Sequence, residues 1–108
     1  MEYAEWNEIP ASEVLIVEGV GCGAETASPY LTFLVWVEAP KELRMRRGIE
    51  RDGEAFRPHW ERWARQEEAI FGANRTRERA GLVVEGAPDV PHAPEREFVG
   101  RFAPVLGF

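Results

Sequence analysis

The chain has 108 residues, enough for one small domain and too few for two. With 44% apolar and 11% aromatic residues it can bury a core, and its net charge of −6 speaks against nucleic-acid binding driven by bulk charge. A single cysteine, Cys22, rules out an internal disulfide and fits a reducing, cytoplasmic setting, while no apolar run approaches the ~18–20 residues of a bilayer span.

Residues 1–12 are polar and acidic, lack the basic and apolar regions of a signal peptide, and offer Tyr3, Trp6 and Ile9 as anchors. Val14-Leu15-Ile16-Val17 is an uninterrupted apolar run ending in Glu18-Gly19, the pattern of a strand buried on both faces of a parallel sheet. Gly19, Gly21 and Gly23 make a flexible turn, and Ala24–Ser28 reads as a short helix before Pro29. Leu31–Val37 is a second strand-like run, closed by Glu38-Ala39-Pro40. Pro40 suits the first position of a helix that continues to Arg51, and Asp52-Gly53 stops it. From Arg57-Pro58 a second helix extends to about Arg79, with Trp60, Trp63, Ala64, Ile70 and Phe71 as its buried stripe and Gly72 weakening its middle. Leu82-Val83-Val84 is a third short strand, and the proline-containing tail from residue 87 reads as irregular. Strands alternating with helices predict an α/β layer architecture with about three parallel strands, organised as an acidic segment 1–12, a domain 13–88 and a tail 89–108. Three short strands leave faces of such a sheet without cover, as though a part of it were missing.

Charge is unevenly distributed. Residues 1–38 hold seven glutamates and no basic residue, whereas residues 39–79 hold 11 of the 13 basic residues. Within that stretch Arg44, Arg47 and Arg51 fall in an arc of about 60° on one helix face. Like charges so spaced repel unless acids such as Glu50 and Glu54 intervene, and planar guanidiniums in a cluster suit a polyphosphate. A solvated helix surface is the competing reading. Glu18, at the carboxyl end of a predicted strand, stands where a carboxylate holds a metal ion or its waters, or else caps a turn. His59 and His92 lack zinc-site spacing, Cys22 reads as a small buried filler, and Trp60 and Trp63 read as core.

Taken in order, Val14-Leu15-Ile16-Val17-Glu18-Gly19, then Val35-Trp36-Val37-Glu38-Ala39-Pro40, then Arg44-x-x-Arg47-x-x-x-Arg51-Asp52, then Ala80-Gly81-Leu82-Val83-Val84 resemble the C-terminal half of uridine kinase-like P-loop proteins. The resemblance covers roughly residues 13–88 and implies a partial three-layer P-loop kinase-type fold. It implies that Glu18 lies near a magnesium ion, that Arg44, Arg47, Arg51 and Arg57 contact ATP phosphates, and that Gly86-Ala87-Pro88 borders the adenine. Arg47 and Arg51 would neutralise charge during transfer of the γ-phosphoryl group to a nucleoside or similar hydroxyl. The sequence departs from the family in having no G-x-x-x-x-G-K-[ST], and Gly81 stands where Asp is usual.

The expectation is therefore the C-terminal portion of an ATP- and magnesium-using phosphotransferase, inactive as the isolated chain, with a nucleotide and a small molecule as its partners. The alternative is a non-catalytic module that binds an anion through the arginine-lined helix or pairs its sheet edge with another subunit, as a homo-oligomer or with a complementing chain.

Overall fold

Of the three apolar runs, two become strands. In a computed structural model of the chain, which describes Glu8 and residues 10–102, these are Val35–Glu38 (β1) and Leu82–Glu85 (β2). They lie parallel, with Val35 opposite Leu82 and Glu38 opposite Glu85. Parallel neighbours require a long crossover, and the crossover here is helical. It comprises α1 (Lys41–Asp52), a 3-10 turn (Glu54–Phe56), α2 (Arg57–Asn74) and α3 (Thr76–Arg79). A third strand, β3 (Gly100–Phe102), runs antiparallel to β2, so the sheet order is β1-β2-β3. The chain is mixed α/β with a small mixed sheet, and no helix among the described residues is long and apolar enough to cross a membrane.

The first helix follows its sequence signals closely. Pro40 stands just before it and its carbonyl accepts the Arg44 N–H at 3.0 Å, while Gly53, at φ 97°, ends it in a conformation that side chains rarely adopt. The second helix departs from expectation. Gly72 stays within it, and the break comes at Arg75, which takes the left-handed conformation at φ 51°. Polar side chains support that break. Asn74 donates from Nδ2 to the Ile70 carbonyl (2.8 Å) and accepts the Glu25 N–H on Oδ1 (2.9 Å). Arg79 donates to the carbonyls of Gly23 (2.7 Å) and Asn74 (3.0 Å) and to the Ser28 hydroxyl. The crossover before β1 is thus tied to the end of α2, where a 3-10 helix (Glu25–Tyr30) replaces the expected short helix over Ala24–Ser28.

Ile49, Ala64, Ala80, Leu82 and Val83 are buried together with Thr76. Trp36 of β1 meets Phe71 of α2 edge-on with ring centroids 4.7 Å apart, the aromatic contact that fastens the helix to the sheet. Ile70, expected in the buried stripe, is exposed.

Two strand expectations are corrected. Val14–Val17 forms no strand and is 61–85% exposed, because no strand pairs with it among the described residues. An apolar run without a hydrogen-bonding neighbour has nothing to convert its β propensity into a ladder. Conversely the tail is not wholly irregular, since it supplies β3. Gly100 permits this, because a Cβ there would lie 2.6 Å from the Val83 carbonyl oxygen. The expected three parallel strands are therefore one parallel pair plus an antiparallel edge, and the sheet extends beyond the predicted 13–88 domain. The predicted anchors Tyr3, Trp6 and Ile9 lie outside the described residues. Accessible surface amounts to 9487 Å², over half as much again as the roughly 6,100 Å² of a compact monomer of this mass.

Candidate functional site

Both strands of the parallel pair end in Val-Glu, and their register sets Glu38 beside Glu85. Adjacent carboxylates on neighbouring strands repel, so the strand ends need cations. Arg77, on α3, donates to Glu38 through Nε (2.9 Å) and Nη2 (3.3 Å). Arg101, on β3, lies 3.1 Å from Glu85 and 3.6 Å from Glu38 and so bridges the two acids. The Arg77 hydrogen bond, helped by the charges of Arg77 and Arg101, holds the Glu38 carboxyl below its ordinary range. The backbone closes the same end. Gly86 donates its N–H to the Glu38 carbonyl at 2.6 Å, and a Cβ on Gly86 would sit 3.0 Å from that oxygen.

Helix α1 brings two of the predicted arginines to these strand ends. Arg44 Nε donates to the Ala39 carbonyl at 3.1 Å and Arg47 Nη1 to the Gly86 carbonyl at 3.1 Å. Ala39 and Gly86 are the residues that directly follow β1 and β2. Neither arginine has a carboxylate partner among the described residues, so both charges are available to an anion.

The other two predicted arginines are engaged elsewhere. Arg51 forms a two-pronged pair with Asp52 (3.0 and 2.9 Å) on a side chain 77% exposed, and Arg57 does the same with Glu54 (2.7 and 3.0 Å). These pairs lower the carboxyls of Asp52 and Glu54. The single arginine face expected from helical spacing is therefore divided. Gly86 lies at the site through its backbone, and Pro88 follows two residues on in the loop after β2.

Glu18 is exposed and lines a cleft of about 720 Å³ that also takes in Arg44, Glu38, Trp36 and Phe71. No group of three or more metal-binding side chains occurs among the described residues. A single carboxylate such as Glu18 suits a cation whose remaining ligands are water and phosphate, as magnesium's commonly are. Cys22 is half-buried and donates its S–H to the Gly19 carbonyl at 3.0 Å, and His59 stacks on Trp63 at 5.7 Å, so each has a local packing role.

Sequence reasoning missed Glu38, Glu85, Arg77 and Arg101. A signal was present: all three apolar runs end in Val-Glu, at Glu18, Glu38 and Glu85. Parallel pairing of any two such runs places acids side by side and demands arginines from elsewhere. Compared with protein-family models, with curated proteins and with solved structures, the chain matches none.

Proposed function

We propose that the chain is the C-terminal portion of an ATP-binding, uridine kinase-like phosphotransferase, and that its own contribution is to neutralise phosphate charge at the ends of β1 and β2. The observation that carries this reading is the delivery of Arg44 and Arg47 to the carbonyls of Ala39 and Gly86, with no acid paired to either. Open parallel sheets bind ligands beyond the carboxyl ends of their strands. Guanidiniums fixed there would meet phosphate oxygens without first breaking an ion pair.

On this reading Arg47 and Arg44 hold the phosphates, and Glu18, which lines the same cleft as Arg44, holds magnesium or its waters. The ion, when bound, supplies further neutralisation of the charge on the transferring group. Arg51 and Arg57 contribute only after leaving Asp52 and Glu54, which makes them secondary. Gly86 and Pro88 would border the base. The 108 residues contain no G-x-x-x-x-G-K-[ST], so the isolated chain is expected to bind nucleotide without transferring phosphate. Calorimetric titration with Mg-ATP tests this. Micromolar binding that vanishes in Arg47→Ala supports the reading, and no binding by the unaltered chain removes it.

A second reading, a subunit-pairing module, is favoured by a different observation. The outer edge of β1 has no partner strand among the described residues.

A further inference from the structure

Strand β1 carries a set of backbone groups with nothing to bond. The carbonyls of Leu34 and Glu38 accept from Gly81 and Gly86 on the β2 side, at 2.9 and 2.6 Å. Peptide groups of successive residues point to opposite edges of a strand, so those of Val35 and Val37 face the outer edge. Among the described residues no backbone group pairs with them. Val35 and Val37 line the 720 Å³ cleft, whose lining also includes Ile16 and Val17 of the exposed apolar run. Trp36 also lines the cleft, and its indole N–H is buried without an acceptor. The cleft thus combines apolar walls with a row of unpaired main-chain donors and acceptors, which is what an added β-strand uses.

Charge distinguishes among possible occupants. The lining holds five carboxylates (Glu18, Glu38, Glu67, Glu68 and Glu78) against two guanidiniums, of which Arg77 is committed to Glu38. A second copy of this chain is a poor match: two of its three apolar runs lie within residues 1–38, which hold seven glutamates and no basic residue, and the third, Leu82–Val84, is already the central strand of its sheet. The geometry points to a strand-acceptor site. The cleft between residues 16–20 and the outer edge of β1 takes an extended apolar strand of a different polypeptide, flanked by lysine or arginine, through main-chain bonds to Val35 and Val37. This inference rests on the subunit-pairing reading and not on the nucleotide reading: Glu18 and Arg44 line the cleft, but Arg47 lies outside its lining.

The test is hydrogen exchange by NMR on the full chain, without nucleotide, titrated with a lysine-flanked valine–isoleucine heptapeptide. The amides of Val35 and Val37 exchange freely in the unliganded chain and become protected on binding. The same peptide flanked by glutamate binds at least about tenfold more weakly. Peptide N-methylated at alternate residues gives no protection. Val37→Pro, which removes an outward N–H and no bond to β2, abolishes binding, and the double change Glu67→Gln, Glu68→Gln narrows the difference between the two flanked peptides. Arg47→Ala leaves peptide binding intact, so loss of nucleotide binding and loss of peptide binding are separable. Equal binding of both flanked peptides, protection by neither, or protection of Val35 and Val37 by self-association without peptide would each overturn the inference.

Discussion

Two segments of this chain look nearly alike on paper and fare differently in the fold. Val14-Leu15-Ile16-Val17-Glu18-Gly19 and Leu82-Val83-Val84-Glu85-Gly86 are both apolar runs closed by Glu-Gly. Leu82 and Val83 are 8% and 7% exposed, whereas Leu15 and Ile16 are 64% and 85% exposed. The difference lies in their neighbours. Strand β2 has β1 on one side and β3 on the other, and its terminal acid is answered by Arg101. The earlier run has neither a strand beside it nor a cation paired with Glu18 among the described residues. Hydrophobic pattern makes a segment able to be a strand, and only a partner makes it one.

That contrast is sharpest under truncation. Leu82→Ala is expected to cost about 2–5 kcal/mol of stability in a urea titration, and Ile16→Ala less than about 0.5 kcal/mol. Equal losses would mean that the two runs are equally packed. A smaller effect is expected at the glycine that lets β3 close on β2. Gly100→Ala forces a Cβ against the Val83 carbonyl and should cost about 1–3 kcal/mol while exposing the Glu85 N–H, now bonded to the Val99 carbonyl, to faster exchange. Gly21→Ala, with nothing within 4 Å of the added atom, should be close to neutral.

A smaller effect than either the core truncation or the Gly100 substitution is expected at the paired acids. Arg77 and Arg101 depress the folded-state pKa of Glu38 below its unfolded value, so the folded state binds this proton less readily. The resulting stability is present above the unfolded pKa, near 4.5, and is lost as pH falls through the lower folded value. Because the pair is partly exposed, Glu38→Gln should remove no more than about 1 kcal/mol at neutral pH, and less in high salt. Stability curves of the parent and the variant should converge as the pH drops through that range. Curves that stay parallel would show that the pair has no role in holding the strand ends.

The sequence made legible what depends on local chemistry. The strand cores of β1 and β2, the start of α1 after Pro40 and its stop at Gly53 all follow from propensity and capping. The end of α2 did not, because it is set by Asn74 and Arg79 reaching residues 49 and 56 positions away. Strand β3 was hidden because a three-residue strand whose pairing depends on a glycine leaves almost no periodic signal. At the candidate site, helical spacing placed Arg44, Arg47 and Arg51 on one face. Which of them remained without an acid was decided by Asp52 directly next to Arg51, and by strand ends that only the fold brings within reach of Arg47.

The most direct test of the site is therefore a comparison of two arginines on the same helix. Calorimetric titration with Mg-ATP should show binding abolished in Arg47→Ala, whose side chain reaches the end of β2, and nearly unchanged in Arg51→Ala, whose side chain is spent on Asp52. Equal weakening in the two variants, or greater weakening in Arg51→Ala, would contradict a phosphate site at the ends of β1 and β2.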